Sequence, residues 1–197
     1  MENIKKLPVY KLRVAVSDDS PLVVDYIGLV DDPAIQLNWH RFDKKVQFTS
    51  DTERRLIMGP LMVANMPIYR RDERFGEYYV VFDKDEIYKI VQKFFRQGFT
   101  SNFNIMHGAE PVDGVYMIES FIIDSSRGVS APEPFKDLSE GSWLCTVKVD
   151  NDELWTNFVK TGELKGFSIE GLFSYEHIND TDEAILQEII DIVKGEK

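Results

Sequence analysis

Cysteine is nearly absent from this chain, histidine is scarce and no apolar run is long. One cysteine, Cys145, and three histidines, His40, His107 and His177, occur in 197 residues. A single thiol excludes an intramolecular disulfide. Its place in the largely apolar run Ser142-Trp143-Leu144-Cys145-Thr146-Val147 reads as a small buried hydrophobe in a reducing, intracellular setting. No stretch approaches the roughly 20 apolar residues that span a bilayer. Met1-Glu2-Asn3-Ile4-Lys5-Lys6 is not followed by a signal-peptide apolar region, so neither export nor membrane embedding is expected. Basic residues are also in deficit, 23 Lys and Arg against 34 Asp and Glu, for a formal net charge of −11. Phosphates would be repelled by such a surface, which argues against nucleic acid and anionic membrane and favours a basic protein partner. No Cys/His cluster has metal-ligand spacing and no glycine-rich loop is built for phosphate, so no cofactor is expected.

What is present is an ordinary globular composition, 43% hydrophobic, enough for one domain with a full core over residues 1–197. Short strand-like segments, several of them alternating, cover 9–16, 22–30, 56–64, 77–82, 102–106, 115–123, 143–149 and 166–175. Three segments carry helical period instead. Residues 84–97 place Ile87, Ile90, Val91 and Phe94 on one stripe, begin near Asp83 and Asp85 and stop at Gly98. Residues 150–161 turn Leu154, Trp155 and Phe158 inward after an Asn151 or Asp150 cap, and Gly162 ends them. Residues 181–193 repeat Ile185, Ile189, Ile190 and Val193 along an acidic surface. The longest region without a period is 124–141, a loop of the kind that often carries function. The pattern predicts a mainly β domain with a few packed helices, α+β in class, its sheet mostly antiparallel and curved or barrel-like.

Few residues can serve as a general base near neutral pH. His40 sits in the polar context Asn38-Trp39-His40-Arg41, and His177 follows the last strand near a polar turn; both read as surface residues. His107 ends the run Asn102-Phe103-Asn104-Ile105-Met106-His107, where period two sets it on the face of Phe103 and Ile105, just before Gly108. It is either a structural histidine or an oriented base. Glu119 shares the odd-numbered face of its strand with Met117, Phe121 and Ile123, and a carboxylate there needs an imidazole or a cation as partner. In Gly166-Phe167-Ser168-Ile169-Glu170-Gly171, Ser168 and Glu170 project together while glycines thin the backbone on both sides. A nucleophile and an ordinary strand serine both fit that pattern.

Taken together, several segments resemble the phage serine protease family typified by XkdF, within the wider group of prohead proteases. They are Val24-Asp25-Tyr26-Ile27-Gly28-Leu29-Val30-Asp31-Asp32-Pro33-Ala34-Ile35, Gly59-Pro60-Leu61-Met62, Ile68-Tyr69-Arg70, Asn104-Ile105-Met106-His107, Ile118-Glu119-Ser120, Gly141-Ser142-Trp143 and Gly166-Phe167-Ser168-Ile169-Glu170-Gly171. The resemblance implies a β-barrel similar to herpesvirus assemblin and a serine endopeptidase of prohead maturation. Ser168 matches the nucleophile and His107 the base; Glu119 is the first choice for the third member, with Glu170 and His177 behind it. The implied partners are scaffold and major capsid proteins, with the portal and self-association left open, and the implied place is the host cytoplasm, inside the assembling prohead. The competing expectation is a non-catalytic capsid-assembly or scaffold-binding module with the same fold.

Overall fold

The computed structural model describes residues 7–15, 20–33 and 49–178. His40 and the helix expected over 181–193 lie outside them. In chain order the strands are β1 (Val9–Arg13), β2 (Val24–Val30), β3 (Thr49–Asp51), β4 (Leu56–Met62), β5 (Ile68–Asp72), β6 (Gly76–Val81), β7 (Phe103–Ile105), β8 (Val115–Ile122), β9 (Trp143–Val149), β10 (Gly166–Gly171) and β11 (Ser174–His177). They pair in the orders β11-β1-β6-β5, β10-β2-β7 and β3-β4-β9-β8.

The mainly β, α+β expectation holds, but the sheets are mixed and no closed barrel is found. Two pairings, β1 with β6 and β2 with β7, are parallel. A barrel needs every strand to find a neighbour on each side, and each of these sheets ends on strands paired on one side only among the described residues. The expected strand over 166–175 is divided into β10 and β11, with Leu172 and Phe173 between them. β3 and β5 were not expected from the sequence. Apart from half-buried Ile68 their residues are exposed, and they carry little hydrophobic alternation.

Helix α1 (Lys84–Arg96) matches its sequence signals closely. The Asp83 carboxylate accepts the Glu86 N–H at 2.8 Å, the chain leaves the helix through Gln97, and Gly98 takes a left-handed φ of 75°. Its stripe of Ile87, Ile90 and Phe94 is buried, and the Phe94 ring meets Trp143 edge-to-face at 5.4 Å, docking the helix on β9. Two charged residues sit inside with their needs met. Lys93, 2% exposed, donates to the carbonyls of Ser20 and Leu22 at 3.1 Å each, and Glu86 accepts the Val14 N–H at 2.6 Å. The second expected helix is an α turn, α2 (Asp152–Leu154), capped by Asn151 and running into a π turn over Trp155–Val159. One large apolar cluster joins all three sheets, drawing Leu12 and Val80 from the first, Ile27 and Phe103 from the second and Ile57 and Trp143 from the third.

Candidate active site

The second sheet brings together residues distant in sequence. β10 runs antiparallel to β2 and β2 parallel to β7, with a register that aligns Ser168 with Gly28 and Gly28 with Asn104. Side chains alternate along a strand, so Ser168, Glu170, Gly28 and Asn104 share one face while Phe167, Leu29, Ile27 and Phe103 share the other. The second set is 1% exposed or less and belongs to the core.

His107 does not follow the strand period expected of it. β7 stops at Ile105, and Met106 and His107 then take φ values of 51° and 57°. Left-handed backbone costs a non-glycine residue about 1–2 kcal/mol. The turn is held by Met106 N–H to Leu29 O at 3.0 Å and Gly108 N–H to Ile105 O at 2.9 Å. Its effect is to reverse the imidazole off the Phe103 and Ile105 face and over β2. Gly28 makes room for the ring: a Cβ there would lie 3.1 Å from His107 Cε1, 3.2 Å from Nδ1 and 3.3 Å from Asn104 Oδ1. The imidazole thus covers the position paired with Ser168, one strand spacing of about 4.8 Å away.

Glu170 orients the ring. Its Oε1 lies 2.9 Å from His107 Nδ1 and accepts the Asn104 side-chain N–H at 2.5 Å. A neutral imidazole with its proton on Nδ1, the nitrogen beside this carboxylate, keeps Nε2 as an acceptor, the form a general base requires. Half-buried Asp25 lies in the same field; burial raises its carboxyl above the ordinary range, and the charge of Glu170 raises it further. Asn104 Oδ1 is buried with no partner among the described residues, where the amide reaches Glu170 through its N–H.

Ser168 is 6% exposed and makes no side-chain hydrogen bond to a described residue. It opens on a cavity of about 390 Å³ whose lining includes Leu61, Met66, Arg70, Phe82, Glu170 and Phe173.

Other expected residues lie elsewhere. Glu119 is exposed on β8, in a different sheet, because a bulge between Met117 and Glu119 shifts the register and takes it off the apolar face. The imidazole's acidic neighbour is Glu170 rather than Glu119. His177 is exposed on β11, edge-on to Tyr10 at 5.2 Å. The loop 124–141 folds as short 3-10 turns and lines, with Lys84 and Tyr88, a second cavity of about 550 Å³. None of its residues lines the Ser168 cavity. Burial pushes the Cys145 thiol far up, leaving an unreactive group inside β9. Among the described residues no three His, Cys, Asp or Glu side chains converge to hold a metal ion.

Sequence reading passed over Gly28 and Asn104. An isolated glycine within an apolar strand signals close approach of another group, which is the role Gly28 has here. Asn104, a polar residue between Phe103 and Ile105, carried the signal of a strand with one polar face. The chain matches no protein-family model, no curated protein and no solved structure.

Proposed function

We propose that this chain is a serine endopeptidase of the prohead-maturation type, with Ser168 as nucleophile, His107 as general base and Glu170 as the group that orients the base. The observation that carries this reading is the His107 ring, held by Glu170 at 2.9 Å and laid over the glycine paired with Ser168. A purely structural histidine does not require two left-handed residues and a glycine gap to lie over the neighbouring strand.

In the proposed reaction the Ser168 Oγ attacks the scissile carbonyl carbon as its proton passes to His107 Nε2. Nδ1–H stays on the Glu170 carboxylate, which stabilises the imidazolium. The imidazolium then gives its proton to the leaving amine, and water releases the acyl group by the same route. An extended substrate has a place to lie, since the cavity runs along β10, which among the described residues is hydrogen-bonded to a strand on one side only. Scaffold and capsid proteins as substrates, the interior of a prohead in the host cytoplasm as location, and a relation to the assemblin fold belong to the same proposal. They rest on the sequence resemblance.

Ser168→Ala is expected to leave the circular dichroism spectrum and melting temperature unchanged while ending processing in cells that co-express the capsid and scaffold proteins. Unchanged processing would overturn the assignment. A non-catalytic assembly module is favoured by one observation, that no hydrogen bond joins Ser168 to His107. A fluorophosphonate probe separates the two readings, because only an activated serine becomes labelled.

A further inference from the structure

Asn104 is the member of the polar row that the proposed reaction leaves without a task. It stands in the middle of β7, between buried Phe103 and half-buried Ile105, and is itself 3% exposed. Burying an amide costs free energy unless both of its ends are bonded, and an apolar side chain of similar volume would carry no such cost. Only one end is bonded among the described residues. The N–H donates to Glu170 Oε1 at 2.5 Å, while Oδ1 is sealed from solvent and meets no donor. The amide cannot be turned the other way round, because a carboxylate only accepts and the N–H end has to face it.

The sheet decides where the unbonded oxygen lies. Gly28 stands between Asn104 on β7 and Ser168 on β10, and a Cβ on Gly28 would be 3.2 Å from His107 Nδ1 and 3.3 Å from Asn104 Oδ1. Oδ1 is thus on the Nδ1 side of the imidazole, the side that Glu170 meets at 2.9 Å. Two acceptors face that side, and the one N–H beside them is turned onto the carboxylate. Acceptors around Nδ1 keep its proton in place and leave the lone pair on Nε2. Glu170 is only half-buried, and the Asn104 N–H anchors this longer side chain from the core side of the site.

We infer that Asn104 is a positioning residue: its N–H anchors Glu170 and its oxygen supplies a second acceptor beside Nδ1, so that one neutral amide sets the rotation and the tautomer of His107. Its consequence for rate rests on the protease reading. The tautomer belongs to the histidine whatever the chain cleaves.

The test is Asn104→Leu, which fills a similar volume with neither hydrogen-bonding end, made in the full chain with and without Glu170→Ala. Nitrogen-15 NMR at about pH 9, above the ordinary histidine range, reads the neutral imidazoles, and loss of a signal in His107→Gln assigns His107. The wild-type proton is expected on Nδ1, and in Asn104→Leu mostly on Nε2, the form free imidazole prefers. Labelling by a fluorophosphonate at saturating probe should slow about tenfold in Asn104→Leu, with the half-saturating concentration unchanged. In the Glu170→Ala background the same change should cost less than about twofold, since the amide acts through the carboxylate. A residue that serves only packing would cost the same factor in both backgrounds. Asn104→Ala provides the same readouts if circular dichroism shows that the leucine variant does not fold. An Nδ1 proton that persists without the amide, or equal losses in the two backgrounds, overturns the role of Asn104 and leaves the protease reading standing. A wild-type proton on Nε2 overturns both. A wild-type serine that takes no label overturns the protease reading, and the imidazole spectrum then decides the role of Asn104 alone.

Discussion

The two faces of the β10-β2-β7 sheet share one backbone and one register but have opposite compositions. On one face, Phe167, Leu29, Ile27 and Phe103 are sealed into the core. On the other, Ser168, Gly28, Asn104 and Glu170 form a polar row with a histidine folded across it. The apolar face is redundant, in that many contacts share the work and any one can be replaced at a cost. The polar face depends on single atoms: one missing Cβ, one carboxylate oxygen and one turn of unusual backbone. A sheet whose other face is packed into the core offers such groups a common support.

The difference can be broken from either side. Phe103→Ala should have the largest effect, about 3–5 kcal/mol of stability measured by denaturant unfolding, with any surviving folded protein still labelled by a fluorophosphonate. Glu170→Gln keeps an acceptor for His107 and Asn104 but removes the charge. It is expected to lower kcat about 10²-fold, roughly 2.7 kcal/mol, with little change in melting temperature. Glu119→Gln, made alongside it, should change neither quantity, and the reverse pattern would return the third position to Glu119. Gly28→Ala is the finest of these changes. Its added methyl would press on the imidazole at 3.1–3.2 Å, so we expect a loss of about tenfold or somewhat more in labelling rate, without unfolding.

The same contrast explains how much could be read from sequence. Apolar periodicity located α1 to within a residue and most of the strands, because burial of a stripe or a face is what those patterns encode. The pairing of Ser168 with Glu170 on one face was equally visible, since it needs only period two. What escaped the pattern came from backbone irregularity and from contacts between distant segments. Nothing in Met106-His107-Gly108 announces two left-handed residues, so the histidine was placed on the wrong face. A bulge of one residue removed Glu119 from the apolar side of β8. The barrel expectation failed for a related reason, as strand propensity does not reveal which strands pair, or that two pairs would be parallel. Arg70 lay on a strand too polar to be recognised.

Cys145 has one more consequence. It lies fully buried on β9 between β4 and β8, and it is the only thiol in the chain. A sulfur so enclosed reacts with a disulfide reagent only after the strands around it part, so its modification rate measures the opening of the β3-β4-β9-β8 sheet. The protein therefore carries a built-in clock for its own breathing. That clock sits in a different sheet from the proposed chemistry, and it runs whether or not the serine ever cuts a peptide.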